Sequence, residues 1–450
     1  MKKLLSILFI VGSTFLVNSQ SANKLKKELL NSIEQKSSEL TALSDKIWAA
    51  AEVAFREEKS SEYLIKYAEE NGLKVEKGLA GMPTAFTATY GEGKPVIGII
   101  GEFDALPGLS QTTDSFRNEL TEGGAGHGCG HNLFGTASLG AAVAIKELIE
   151  KGDLTGTVKF FGTPAEEKFF GKLWMIREGV FDDVDITMDW HPADHTEANV
   201  QPSLALVDFM VEFTGQSAHA SADPWNARSA NDALELYTSG INAYREHVKP
   251  SVRMHYHIQD AGQVVNVVPD YSRIWVRVRD ITKEGLQPVY DQVRRMAGGA
   301  IMQKNLEILG DIQYTQDEID FALDMQKANG KPQIGIDGKI RPLRETLESP
   351  GGGSTDVGDV SYNMPVVSLA ATTAPKGVPW HSWSVVASSG MSIGHKGMLH
   401  AAKALGMSMI DIYKDKKLRE EIKKEFDERI GDYEYDPYLD PGPPPIDYVD

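Results

Sequence analysis

The chain of 450 residues carries a formal charge of −18, with 41% hydrophobic and 24% charged residues. One hydrophobic core rarely serves so many residues, so two domains are expected. The acidic balance excludes duplex nucleic acid and anionic membrane surfaces as partners, because phosphate recognition rests on a basic patch.

Residues 1–21 read as an export signal: Lys2 and Lys3, the apolar run Leu4 to Val17, then small residues around Ser19 and Ser21. The apolar run is too short for a comfortable membrane span. The mature chain is therefore expected to be periplasmic or secreted, with no membrane contact after cleavage. From Lys24 to about Gln201, helical and strand patterns alternate. Amphipathic stretches run through Lys26 to Ala54 and Ser60 to Asn71. The short β-rich runs Val96 to Gly101 (VIGIIG) and Val158 to Gly162 (VKFFG) are separated by a helix over Thr136 to Glu150. This alternation argues for an α/β domain with a largely parallel sheet.

From Leu204 to Gln313 the order becomes strand (Leu204–Thr214), helix (Ala227–His247), strand (Val252–Asp260), strand (Ser272–Arg279), helix (Lys283–Met302), strand (Leu306–Ile312). This is the split βαβ, or ferredoxin-like, order, and its position reads as an insertion. The expected division is thus a first domain of 22–203 and 315–450, discontinuous in the chain, and a second of 204–314. The end, Tyr433 to Asp450, is rich in Pro, Tyr and Asp and reads as an extended arm.

The residues that carry chemistry sit at strand ends, where α/β sheets collect their ligands. Glu102-Phe103-Asp104 follows VIGIIG, Glu166-Glu167 follows VKFFG, and His191 follows Ile186 to Asp189. The single cysteine, Cys129, lies two residues before His131 in the glycine-rich GHGCGHNLFG of Gly126 to Gly135. A chain with one cysteine forms no internal disulfide, so in an oxidising compartment Cys129 stays free, pairs with another molecule or is held by a metal. A thiolate beside an imidazole points to zinc or a similar divalent ion. On spacing alone His127 is as eligible a ligand as His131. Gly351 to Asp356 is glycine-rich but lacks the pattern of a phosphate-binding loop.

Together, several motifs resemble the dinuclear metal amidohydrolases and peptidases, the family of aminoacylases, carboxypeptidases and auxin-conjugate hydrolases. They are GEFDALPGLSQ at Gly101, GHGCGHNLFG at Gly126, PAEE at Pro164, REGVFDDVD at Arg177, WHPAD at Trp190, GQSAHA at Gly215, GGGSTDVGDVS at Gly351, HSW at His381 and GHKGMLHAAK at Gly394. The resemblance covers nearly the whole mature chain. It implies a metallopeptidase-like catalytic domain, with the inserted domain acting as a lid and dimerisation module. Position by position, it implies that Cys129, His131, Glu167, His191 and His381 hold two divalent ions, zinc or manganese. Glu166 would then be the general base, moving a proton from water to the leaving nitrogen. Asp104 would orient a ligand histidine, and His395 would support the late helix near the site. His219 would help hold the developing oxyanion, and Asn266 would lie near the substrate. His127 becomes a packed or supporting histidine.

The implied substrate is a small amide of an N-acyl or N-aroyl amino acid, with p-aminobenzoyl-glutamate as the type. An exported dipeptidase or broad N-acyl-amino-acid deacylase is the alternative. The resemblance implies a homodimer, or a heteromer with a paralogous subunit. A catalytically silent binding subunit is the reading from another class; it has no physical need to keep five ligands and a base.

Overall fold

The computed structural model describes residues 22–199, 205–244, 253–280, 296–342, 355–431 and, in the C-terminal arm, 433–435, 437, 439 and 441–447. The expected export signal, the helix end expected at His247 and Gly351 to Ser354 fall outside the described residues. The chain divides into two units, a larger one within Met1–Val200, Val293–Thr346 and Asp359–Asp450 and a smaller one within Gln201–Gln292 and Leu347–Gly358.

The described strands, in chain order, are β1 (Lys74–Lys77), β2 (Phe86–Glu92), β3 (Val96–Gly101), β4 (Gly156–Gly162), β5 (Ile186–Ala193), β6 (Glu197–Asn199), β7 (Ala205–Thr214), β8 (Arg253–Asp260), β9 (Tyr271–Asp280) and β10 (Val366–Thr372). The helices are α1 (22–35), α2 (Ser37–Ala50), α3 (Glu58–Glu70), α4 (His131–Glu150), α5 (Gly171–Arg177), α6 (Ala230–Tyr244), α7 (Met296–Leu309), α8 (Gln316–Ala328), α9 (Val357–Asn363), α10 (Trp383–Ser389), α11 (Ser392–Lys414) and α12 (Lys416–Ile430). No described helix is long and apolar enough to cross a membrane.

The larger unit is built on a seven-stranded sheet of order β1-β2-β4-β3-β5-β10-β6. Its four inner strands β4, β3, β5 and β10 run parallel, while β2 pairs antiparallel with β4, β1 antiparallel with β2 and β6 antiparallel with β10. Every residue of β3, VIGIIG, is buried, as a parallel strand covered on both faces requires. The helix α4 is apolar or small nearly all round, and 17 of its 20 residues are buried. Such a helix belongs inside a protein, and α4 packs between the sheet, α2 and α11. Its own Phe134 and, in the elements around the sheet, Phe86, Phe103, Phe160 and Trp190 are fully buried. Burial of each side chain of this size contributes about 2–3 kcal/mol.

In the smaller unit β7, β9 and β8 form an antiparallel sheet in that order. Leu234 of α6 packs on Ile274 and Val276 of β9. These elements supply strand, helix, strand and strand of the ferredoxin-like order. The fourth strand expected at Leu306–Ile312 is instead the end of α7, which packs on α11, β6 and β10 in the larger unit. Met302 and Leu306, four residues apart, are both fully buried, the spacing of a helical face rather than a strand. The boundary expected at residue 314 therefore falls near 292.

On α11, His400 is buried and its Nε2 has no hydrogen-bond partner. Burial, reinforced by Lys403, holds its imidazole down at about 4. The group stays neutral in the fold while the unfolded chain takes a proton near pH 6.5. Stability is thus intact above that pH and lost as pH falls toward 4. His400→Leu is expected to regain about 2 kcal/mol at pH 5 relative to pH 8, measured by urea unfolding at the two pH values.

Candidate metal centre

The site forms at the carboxyl ends of the four parallel strands. Glu102 and Asp104 follow β3, and Glu166 and Glu167 follow β4. His191 lies within β5, and His381 lies in the segment between β10 and α10. Cys129 comes from the loop that enters α4, and His131 is the first residue of that helix. Gly130 stands at that helix's start with φ +78°, and a Cβ there would press on Pro192, beside His191. The His381 backbone N–H donates to Gly128 O at 3.0 Å, so the loops that carry Cys129 and His381 are tied directly. Three of the six described non-glycine residues in the left-handed region lie in these segments: Ala165, Phe170 and His381. Such strain marks sites that the surrounding structure holds in place.

The donor atoms fall into overlapping triads. Cys129, His131 and His191 offer atoms within 4.8 Å of one another, as do Cys129, Glu167 and His381. Cys129 Sγ lies 3.5 Å from His191 Nε2, and Glu167 Oε2 lies 3.6 Å from His381 Nε2. Two ligands at about 2.0–2.3 Å from one tetrahedral ion are separated by about 3.5 Å. His131 Nε2 and Glu167 Oε1 are buried without a hydrogen-bond partner, and both belong to residues of these triads. Buried polar atoms are as a rule paired, and two of the described exceptions lie in these triads, so the donor set fits cations held there.

A model of peptidase family M20/M25/M40 matches residues 98–321. A subunit of p-aminobenzoyl-glutamate hydrolase from Escherichia coli (strain K12) is 35% identical over 448 residues, covering 88% of this chain and 93% of the relative. The chain belongs to family M20/M25/M40. It is a metal-dependent amidohydrolase. Human Xaa-Arg dipeptidase is 26% identical across 91% of this chain and 94% of its own length. Two solved structures share the fold. A dinuclear metal binding peptidase of the M20 family from Bacillus subtilis has TM-score 0.51 and 19% identity, with 84% and 99% of the two chains covered. An aminobenzoyl-glutamate utilization protein from Klebsiella pneumoniae has TM-score 0.52 and 17% identity, with 84% and 97% covered.

In this M20/M25/M40 chain the site is rich in charge yet largely buried. Burial, with the Glu167 charge next, pushes the Cys129 thiol up to about 12, and burial pushes Glu167 up to about 7. Burial alone would lower His131, but the charges of Cys129, Glu102 and Asp104 outweigh it and drive the imidazole well up. A cation reverses this logic, since it stabilises thiolate and carboxylate in a place that water reaches poorly. Asp104 Oδ1 pairs with His131 Nδ1 at 2.8 Å, and its Oδ2 accepts from the Glu167 backbone N–H at 2.9 Å. The imidazole therefore presents Nε2 to the triads.

His127 is buried, with Nε2 3.1 Å from Ile47 O, and burial holds it down at about 4. It packs α2 against the cysteine loop. His395 pairs with Asp45 of α2 at 2.8 Å and so ties α11 to α2. His219 and Asn266 lie in the smaller unit, both exposed and brought side by side: Ala220 N–H donates to Asn266 O, and His219 bridges Val267.

Sequence reasoning gave no role to Glu102 or Lys172. Glu102 Oε2 approaches His131 Nε2 to 3.1 Å without a hydrogen bond between them, and Oε1 accepts from Lys172 Nζ at 2.7 Å. The only signal was the position of Glu102 directly after a strand; nothing near Lys172 announces a fully buried ammonium. Removing one partner of a buried pair leaves an uncompensated charge. Lys172→Met is expected to destabilise by about 3–5 kcal/mol in denaturant unfolding, and adding Glu102→Gln should recover much of the loss.

Proposed function

We propose that the protein hydrolyses the amide bond of N-acyl or N-aroyl amino acids, with two divalent ions, zinc or manganese, held by Cys129, His131, Glu167, His191 and His381. The observation that carries this reading is the membership of Cys129 in two of the three donor triads of the described residues, once with His131 and His191 and once with Glu167 and His381, which gathers all five donors around one thiol. Bound there, the ions would polarise the scissile carbonyl and lower the pKa of water.

The chain's own residues do the rest. Asp104 fixes the tautomer of His131 and the backbone of Glu167. Glu166, buried beside His131 and Glu102, takes the proton from water and returns it to the leaving nitrogen. His219 and Asn266 act on the substrate. The name of the Escherichia coli relative supports p-aminobenzoyl-glutamate-like substrates. The dipeptidase match over nearly the full chain supports a second reading, hydrolysis of dipeptides. Residues 1–21 act as an export signal, and the enzyme works outside the cytoplasm as a homodimer or with a paralogous partner. The other Escherichia coli subunit of p-aminobenzoyl-glutamate hydrolase, itself 31% identical to this chain over 230 residues, supports the latter.

Protein starting at residue 22, stripped of metal and reloaded with zinc or manganese, is expected to release free amino acid from p-aminobenzoyl-glutamate faster than from acylated amino acids or dipeptides. Faster dipeptide cleavage would favour the second reading. Glu166→Gln should lower kcat by about 10²–10⁴-fold with metal content intact; undiminished turnover removes it as the base. Cys129→Ser should retain less than about half of the metal after dialysis, read by elemental analysis.

A further inference from the structure

The connector between α2 and α3 is anchored beneath the site. Its Glu52 carbonyl accepts from Ala105 N–H at 2.8 Å, next to Asp104, and its Glu52 carboxylate accepts from the first backbone N–H groups of α3. Phe55, itself at φ +62°, stacks on Phe169 with ring centroids 4.9 Å apart. Glu57 is fully buried. Its Oε1 accepts from the Ala165 backbone N–H at 2.9 Å, and its Oε2 accepts from Thr84 Oγ1 at 3.2 Å.

Ala165 immediately precedes Glu166. It is fully buried and sits at φ +61°, a conformation that an alanine does not adopt unaided. The turn that follows is equally tight, because a Cβ on Gly171 would lie 2.1 Å from Pro164 O. Glu167 is secured separately, through its N–H on Asp104 Oδ2. The adjacent glutamates thus hang from two different buried carboxylates, Glu57 before Glu166 and Asp104 at Glu167.

We propose that Glu57 is a positioning residue for Glu166: its reach to Ala165 N–H holds the left-handed turn that aims the Glu166 carboxyl. This rests on the reading of Glu166 as general base. Reach is the operative property rather than charge, because both oxygens of Glu57 meet neutral partners. A glutamine side chain can accept from Ala165 and donate to Thr84, whereas an aspartate keeps the carboxylate but falls short.

The test compares metal-loaded wild type, Glu57→Gln, Glu57→Asp and Glu166→Gln by hydrogen exchange of the peptide 163–171, metal content, and kcat and KM on p-aminobenzoyl-glutamate. Expected for Glu57→Asp are exchange faster by about tenfold or more, kcat lower by about 30-fold, and KM and metal content unchanged. Glu57→Gln should stay within about threefold of wild type in every readout. Wild-type exchange in Glu57→Asp overturns the proposal, as does equal damage in Glu57→Gln, or metal loss that parallels kcat. Faster exchange with unmoved kcat also overturns it if Glu166→Gln is inactive. If Glu166→Gln is fully active too, the base assignment falls while the hold on the 165 turn stands.

Discussion

Asp104 is the interaction on which the site depends. One carboxylate joins the end of β3 to the first residue of α4 through His131 and to the β4–α5 loop through Glu167 N–H. Those three segments come from distant parts of the chain, and each brings a donor atom. Asp104 is fully buried; burial alone would raise its pKa, but the His131 hydrogen bond and charge, the Glu167 N–H and Lys172 outweigh that and keep it low. It remains an acceptor, for the Glu167 N–H and for His131 with the proton on Nδ1.

Around Asp104 the fold solves one electrostatic problem. Several carboxylates, a thiol and imidazoles are gathered where most of them are buried, with Phe134 against His131 and His191, and isolated charges there are costly. Lys172 compensates Glu102, and His131 stands between Glu102 and Asp104. What these do not balance, the Cys129 thiol and the second oxygen of Glu167, is the part of the site that suits cations. Backbone strain is placed accordingly, at Ala165 and His381, each held by a bond to a different loop.

Much of this was legible in the sequence. The β3 and β4 runs, the helix before Glu150 and the strand-end location of the acidic residues follow from periodicity, because burial on two faces or on one writes itself into hydrophobic spacing. Where the pattern was ambiguous, tertiary contacts decided. Leu306 to Ile312 reads as a strand in isolation, yet Met302 and Leu306 share a buried helical face against the larger unit. Lys172 and Glu57 look like ordinary surface residues, since a charged side chain carries no sign in the sequence that it will be buried.

The sequence by itself determined which chemical types are present and in what order along the chain: one thiol two residues before a histidine, the Glu166-Glu167 pair, and the later histidines. That follows because local patterning sets which residues end a strand or open a helix. Only the tertiary structure decided which of these atoms meet. Cys129 and His381 are 252 positions apart, and their loops are joined by the backbone bond between His381 N–H and Gly128 O. The anchoring of Ala165 on Glu57 spans 108 positions. Contacts at such separation come from the packing of the sheet and its helices, which no local spacing records.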